Sequence, residues 1–190
     1  SDPDTYFATM GCRTMLGYDR HTDSYNRVGR GNLCPNTMIL PKLGIEYGIC
    51  LGERETPDLE GFWSAFEDLL MLCEQGLLER FDIMVNQSPE AAPFMYQNGT
   101  MMDAQKCQVS NYEALKHGTL ALGQLGLAEA LQILIGCDHT EEKGMELAKR
   151  IEALFKKRCA EFKEEYKLNF GVYYTPAENL CHTALKKFKE

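Results

Sequence analysis

Residues 115–136, LKHGTLALGQLGLAEALQILIG, carry the strongest structural signal in the chain. The first half is apolar in the manner of a buried strand, and the second half has the apolar spacing of a helix. Gly123 and Gly126 stand at the change from one pattern to the other. A strand that passes through glycine into a helix is typical of helices packed on a parallel sheet.

Strand patterns also occur on both sides of this segment. A buried strand is predicted over residues 36–46, with Pro41 near its end. Residues 88–101 are predicted to form a loop and a short strand, and residues 169–175 another short strand.

Helix patterns alternate with these strands. One helix is predicted to have Thr56 as its N-cap and Pro57 at its first position. Its apolar face comprises Phe62, Phe66, Leu69, Leu70 and Cys73. A long helix is predicted to start at residues 138–140, and residues 175–188 to form a closing helix. The apolar stripe of the long helix comprises Leu147, Ile151, Leu154, Phe155, Cys159, Phe162 and Tyr166.

The alternation predicts an α/β fold, either an open parallel sheet or part of an α/β barrel. A chain of 190 residues is about one domain, and it is long enough to bury about 70% of its unfolded surface. The net charge of −8 argues against binding a nucleic-acid polymer or an anionic membrane, but not against a single nucleotide. No secretory signal is visible, and no apolar run approaches ~18 residues, so we predict a cytoplasmic protein that does not bind membranes.

Eight cysteines are present, and none forms a CxxC pair. A zinc ribbon or a thioredoxin-type motif is therefore not supported, and the four histidines show no ligand spacing, so no metal site is predicted. Cys73, Cys137 and Cys159 lie in apolar helical patterns, where a thiol behaves as a small core side chain.

Cys12 differs from these cysteines because it lies in MGCRT, residues 10–14, ahead of a long polar loop. It could be an ordinary loop thiol, or a reactive thiol whose pKa is lowered by Arg13. A cysteine hydrolase would need a histidine partner, and nothing near Cys12 in the sequence supplies one.

The stretch TPAEN, residues 175–179, allows two interpretations. Thr175 and Glu178 have the spacing of a capping box, with Pro176 at the first helical position. The same helix start could bind a phosphate through its free N–H groups, although Glu178 opposes an anion by its charge.

The sequence also allows two roles for Gly123 and Gly126, and two for His117. Gly123 and Gly126 could allow a helix to pack closely on a strand, or could let the backbone approach a ligand. His117, just before the strand, could be a hydrogen-bonded structural residue or a ligand contact.

Four segments in this order resemble the class III anaerobic ribonucleoside-triphosphate reductases. They are MGCRT at 10–14, GRGNLCPNTMILPKLGIE at 29–46, ALKHGTLALGQLGLAEAL at 114–131 and VYYTPAENLC at 172–181. The resemblance covers nearly the whole chain. It implies half of a ten-stranded α/β barrel of the ribonucleotide reductase and glycyl-radical enzyme type, with parallel strands and helices outside. Residues 1–35 would form a finger loop and residues 36–190 the second half-barrel, as a fragment of a larger catalytic subunit.

The resemblance also implies site residues. Cys12 would become a thiyl radical that abstracts the 3′ hydrogen of the ribonucleotide, and Asn32 would help to position formate, the reductant. His117 would line the substrate cavity. The substrate phosphates would lie at the turn formed by Thr175, Pro176, Ala177, Glu178 and Asn179.

The family's catalytic subunit depends on a glycyl radical generated by an activating enzyme that uses S-adenosylmethionine and an iron–sulfur cluster. It also has a zinc module, and it would act as a homodimer on ribonucleoside triphosphates. Neither an RVCGY-like stretch nor paired CxxC motifs occur in these 190 residues. We therefore expect this segment to bind no cofactor itself and to be inactive when isolated.

Two other functions stay open at this point. A glycyl-radical enzyme of the pyruvate formate-lyase type would share the barrel and a loop cysteine, but GRGN and TPAEN argue against it. A non-catalytic nucleotide-binding or assembly module derived from the reductase would keep the fold without the chemistry.

Overall fold

The computed structural model describes residues 8–10, 14–175, 177, 180, 182–183 and 186. Its centre is a three-stranded parallel sheet in the order β3-β4-β5, formed by Asn32–Ile39, Thr119–Leu125 and Asn169–Tyr174. Parallel neighbours need long crossover connections, and helices supply both of them. The predicted α/β class with parallel strands is confirmed, and the arrangement is consistent with half of an α/β barrel.

Six α-helices accompany the sheet in the described part of the chain. Between β3 and β4 lie α1 (Leu40–Tyr47), α2 (Leu59–Val85), α3 (Pro93–Tyr96) and α4 (Tyr112–Leu115). Between β4 and β5 lie α5 (Leu127–Ile135) and α6 (Glu142–Tyr166). None of the described helices is long and apolar enough to cross a membrane.

The core lies between one face of the sheet and the long helices. The paired residues Leu33, Leu120 and Phe170 point to this face and are buried. Phe66 of α2 meets Phe155 of α6 edge to face, with ring centroids 5.3 Å apart. The stripe predicted on α6 faces this core: five of its seven residues are buried, and Leu154 and Tyr166 pack against them.

The opposite face of the sheet is polar and lined by small residues; we call it the inner face. Side chains alternate between faces along a strand, and paired residues of neighbouring strands share a face. The register places three rows here: Asn32, Thr119 and Asn169; then Ala121 and Gly171; then Thr37, Gly123 and Tyr173.

An antiparallel hairpin precedes the parallel sheet. Its strands are β1 (Ala8–Met10) and β2 (Thr14–Leu16), with Met10 paired to Thr14. We expected only a loop here, because strands of three residues are too short to show a period. Residues 11–13, between the two strands in the sequence, lie outside the described residues, and Cys12 is one of them.

Several element boundaries differ from the predictions. The strand predicted over 36–46 begins at Asn32 and ends at Ile39, where α1 begins with Pro41 in its first turn. The helix predicted to start at Thr56 and Pro57 begins instead at Leu59, capped by Asp58.

Residues 88–101, all of which are described, form a 3-10 turn at Pro89–Ala91 and helix α3, without the expected short strand. The long helix starts at Glu142, slightly later than predicted. Most of the expected closing helix, residues 175–188, lies outside the described residues. The boundary expected between residues 35 and 36 falls within β3, and the division into a finger loop and a half-barrel stays a prediction.

Candidate functional site

The inner face holds a cavity that joins the hairpin to the parallel sheet. A small recess is lined by Met15, Asn32, Thr119, Ala121, Gly171, Val172 and Tyr173. Four of these residues, Met15, Thr119, Gly171 and Val172, also line a neighbouring cavity of about 510 Å³. A volume of this size is within the range of small-molecule sites. Met15 belongs to β2, so the hairpin lies against the inner face of the sheet.

Asn32 begins β3 and contributes its side chain to this recess. Its Nδ2 atom is buried and has no hydrogen-bond partner among the described residues. An unpaired buried amide donor costs roughly 1–3 kcal/mol. The donor is therefore available to a ligand that brings a carboxylate or a hydroxyl oxygen.

A cluster of hydroxyl groups marks the carboxyl ends of the strands. The Oγ1 atom of Thr37 lies 2.8 Å from the hydroxyl of Tyr173 and 2.8 Å from that of Thr175. The Thr175 N–H donates to the carbonyl of Gln124 at 3.0 Å. These contacts anchor the start of the turn that follows β5.

The predicted phosphate turn is only partly described. Thr175 is half-buried and held as above, and Ala177 has a φ of 49°, in the left-handed region that alanine rarely adopts. Pro176, Glu178 and Asn179 lie outside the described residues. The capping box and the phosphate site therefore both stay predictions.

The two glycines of the strand-to-helix segment serve close packing. A Cβ atom at Gly123 would lie 2.5 Å from the Tyr173 ring and 2.7 Å from Thr37 Oγ1. Gly126 has a φ of 75°, and a Cβ there would lie 2.6 Å from the Pro41 ring. Glycine at 123 thus makes room for the hydroxyl cluster, and glycine at 126 permits the left-handed turn into α5.

A buried polar cluster occupies the opposite, amino ends of the strands. The Asp19 carboxylate is fully buried and accepts hydrogen bonds from Asn169 Nδ2 at 2.9 Å and from the Thr22 hydroxyl at 3.0 Å. Burial alone would raise the pKa of Asp19, but its hydrogen bonds to Asn169 and His117 outweigh burial and lower the pKa below its usual value.

His117 sits within this cluster, with 2% of its surface exposed. Its Nδ1 atom lies 2.9 Å from Asp19 Oδ2, and its Nε2 atom lies 3.2 Å from Asp103 Oδ2. The predicted contact of His117 with a substrate stays a prediction. In this structure a ligand would have to displace one of two carboxylates to reach the ring nitrogens.

Sequence reasoning did not single out several of these residues. Arg30 is part of the quoted GRGN stretch, but its buried hydrogen bonds could not be read from the sequence. Asp19 is one of 28 acidic residues, and its partner Asn169 is 150 residues away. Thr37 and Tyr173 fall within predicted strands, and nothing in the sequence pairs them.

The six cysteines in the described part of the chain are free thiols. Cys73, Cys137 and Cys159 are buried, as predicted for core thiols, and burial raises the pKa of Cys159 to about 11. Cys34 is also buried, its Sγ atom lies 3.2 Å from the Met84 sulfur, and burial raises its pKa. Burial raises the pKa of Cys73 as well, so the thiolate form that reacts as a nucleophile is disfavoured at Cys34, Cys73 and Cys159.

Among the described residues, no group of three or more histidine, cysteine, aspartate or glutamate side chains is arranged to hold a metal ion. The polar side chains that line the small recess are instead an amide and two hydroxyls, those of Asn32, Thr119 and Tyr173, which are groups that bind small polar molecules.

Comparison with known proteins identifies the same family as the motifs. The chain is 29% identical over 177 residues to the anaerobic ribonucleoside-triphosphate reductase of Escherichia coli strain K12, over 90% of this chain and 24% of that protein. The Haemophilus influenzae protein of the same name is 25% identical over 185 residues, covering 93% of this chain and 24% of its own length.

The enterobacteria phage T4 protein of this name is 30% identical over 180 residues, covering 93% of this chain and 28% of that protein. The chain thus spans about a quarter of the length of the curated relatives it matches. The family model described as anaerobic ribonucleoside-triphosphate reductase matches residues 1–190, and the chain therefore belongs to that family.

Proposed function

We propose that this chain forms part of the active site of an anaerobic ribonucleotide reductase that converts ribonucleoside triphosphates to deoxyribonucleotides, with formate as the reductant. One observation carries the proposal: Met15 of the hairpin and Asn32 of β3 line the same recess on the inner face. The hairpin that flanks residues 11–13 therefore lies against the face where a buried amide donor is unpaired.

Cys12 is the residue that would react with the ribose. As a thiyl radical it would take the 3′ hydrogen of the substrate and form an S–H bond. Water would then leave from C2′. Formate would be oxidised to carbon dioxide and supply the two electrons that the ribose gains, so that a hydrogen replaces the lost hydroxyl at C2′. Cys12 would return a hydrogen atom to C3′ and become a thiyl radical again. An acid or base side chain could not replace Cys12, because the step transfers a hydrogen atom.

Asn32 would position the formate or polarise the ribose region. Its unpaired, buried Nδ2 donor supports this role, because a carboxylate oxygen is a strong partner for an amide N–H. The recess is also lined by Thr119 and Tyr173, whose hydroxyl groups could add further contacts.

The substrate phosphates would bind at the turn that begins with Thr175 and continues through Pro176, Ala177, Glu178 and Asn179. The anchoring of Thr175 to Thr37 and Gln124 supports this role, because a fixed turn needs less ordering when the ligand binds. The resemblance also assigns His117 to the substrate cavity, and for a direct contact its buried ring would have to leave Asp19 or Asp103.

The remaining partners would act through other parts of a longer protein. These are the glycyl radical, the activating enzyme with S-adenosylmethionine and an iron–sulfur cluster, a zinc module and a second subunit of a homodimer. The reaction would take place in the cytoplasm. The family match favours this function over the pyruvate formate-lyase type.

The test compares Cys12→Ser with Cys50→Ser, since Cys50 is an exposed thiol that does not line the recess. Both changes are made in the longest natural protein that contains these residues, assayed anaerobically with activating enzyme, S-adenosylmethionine and formate. We expect Cys12→Ser to abolish deoxyribonucleotide formation while nucleotide binding persists, and Cys50→Ser to retain both.

Turnover that survives Cys12→Ser would contradict the radical mechanism. If the unmodified protein binds nucleotide but yields no deoxyribonucleotide, the non-catalytic binding module is the better description. We expect the isolated 190-residue chain to show no turnover under the same conditions.

A further inference from the structure

We infer that Asp19, Arg30 and His117 are positioning residues for the proposed reaction, and this inference rests on the proposed function. They clamp the polar loop 17–31, which connects the hairpin to Asn32. We call these three side chains the loop clamp. By holding both ends of this loop, the clamp would fix the hairpin and Asn32 relative to each other.

Asp19 holds the start of the loop, three residues after β2 ends at Leu16. Besides Asn169 and Thr22, it accepts a hydrogen bond from the His21 N–H at 3.1 Å. The Asn169 amide side chain accepts in turn from the Arg20 N–H at 3.1 Å. The start of the loop is thereby joined to the first residue of β5.

Arg30 holds the end of the loop, two residues before Asn32. Its Nε donates to the His117 carbonyl at 2.7 Å, and one terminal nitrogen donates to the carbonyls of Gly17 and Asn26 at 2.8 and 2.6 Å. Its side chain is fully buried. One side chain therefore connects the first part of the loop, its later part and the segment that leads into β4.

His117 joins the two halves of the clamp. Its ring contacts Asp19, and its carbonyl accepts from Arg30. The other ring nitrogen contacts Asp103, on a separate loop whose Met102 N–H donates to the Gly29 carbonyl at 2.8 Å. Three separate segments of the chain thus meet at this one histidine.

Stability alone is a weak reason for such an arrangement, because buried ion pairs often add little compared with apolar packing. Accurate positioning of the reactive groups explains the clamp better. A reactive group displaced by 1 Å can lose about 100-fold in rate, and the supporting residues must hold it more closely than that. The clamp lies at the amino ends of the strands, whereas Thr175 follows the carboxyl end of β5. Loosening the clamp should therefore affect the chemical step more than nucleotide binding.

The experiment uses Asp19→Asn and His117→Gln, with Asp68→Asn on the exposed side of α2 as the matched control. In the natural protein, we expect both clamp variants to lower kcat about 10–100-fold with KM changed less than about twofold. In the 190-residue chain, we expect faster amide hydrogen exchange over residues 14–31 and unchanged exchange over residues 59–85. Asp68→Asn should change none of these quantities.

Unchanged kcat in both clamp variants, or equal changes in kcat and KM, would overturn the inference. Faster exchange over residues 59–85 as well would show a general loss of stability and would also count against it. If Asp19→Asn does not fold, His117→Gln decides. If the unmodified protein has no reductase activity, the proposed function fails, while the exchange data still decide whether the clamp orders the loop.

Discussion

Gly123 shows how one absent side chain shapes the candidate site. It lies in the middle strand of the parallel sheet, and on the inner face the Tyr173 ring covers it. This placement lets the Tyr173 hydroxyl reach Thr37, which also contacts Thr175. The sequence left the role of Gly123 open. In the structure, Gly123 leaves the space that the hydroxyl cluster needs to hold the turn after β5.

Gly123→Ala should disrupt the hydroxyl cluster. The new Cβ would lie within 2.7 Å of both Thr37 Oγ1 and the Tyr173 ring, so Tyr173 must move. We expect a loss of about 1–3 kcal/mol in the free energy of unfolding, typical of an overpacked site, measured by urea denaturation. Gly17→Ala is the control, because a Cβ there meets nothing within 4 Å. Equal stability of the two variants would contradict this account of Gly123.

Helix α2 shows which features of a helix the sequence predicts and which it leaves open. Its apolar face was predictable, since Phe62, Phe66 and Leu70 recur at helical spacing and are all buried. Its first residue was predicted wrongly, because Thr56, Pro57 and Asp58 are all acceptable near a helix start. The Asp58 carboxylate accepts from the Gly61 N–H at 2.8 Å, and this contact decides where the helix begins.

Asp58→Ala should therefore destabilise the chain by about 0.5–2 kcal/mol, the usual cost of losing an N-cap. Asp58→Asn should be close to neutral, because asparagine caps a helix nearly as well. Thermal unfolding followed by circular dichroism at 222 nm would compare the two. A loss of similar size in both variants would show that charge, and not the cap hydrogen bond, is what matters.

At the scale of the whole molecule, Asp19 connects parts of the chain that are far apart in sequence. It contacts His117 and Asn169, which are 98 and 150 residues away. Loop 17–31 is thereby attached to the first residue of β5 and to the segment that leads into β4. The attachment depends on an ionised carboxylate, because hydrogen bonds to that form lower its pKa.

The contribution of Asp19 to stability should consequently depend on pH. Because its pKa is lower in the folded chain, ionised Asp19 stabilises the fold fully above about pH 4, the usual value of the unfolded group. That contribution should disappear as the pH falls through the lowered pKa. Urea denaturation from pH 7 to pH 2 would compare the unmodified chain with Asp19→Asn.

We expect the stability difference between these two proteins to be constant from pH 7 to about pH 4 and to shrink below it. Asp68→Asn, with its exposed side chain, is the control and should show little difference from the unmodified chain at any pH. A difference for Asp19→Asn that grows on acidification would refute the lowered pKa.

The class of the fold and the family could both be predicted from the order of residues alone. Apolar periodicity places β4, α5, α6 and β5 in the right order, because burial of one face imposes a pattern on neighbouring residues. The boundary between β3 and α1 was not predictable, since an unbroken apolar run suits a buried strand and a buried helix equally. Four short motifs were enough for the family, and the match over residues 1–190 agrees with them.

Which polar residues contact one another could be seen only once the chain was folded. Asp19, Arg30, His117 and Asn169 are brought together by chain crossovers, and hydrogen bonds between such distant residues leave no periodic signal in a sequence. The same holds for Thr37, Tyr173 and Thr175, which meet because parallel strands place their carboxyl ends at one edge. Local patterns record which side of an element is buried, whereas contacts between elements depend on how the sheet and helices pack.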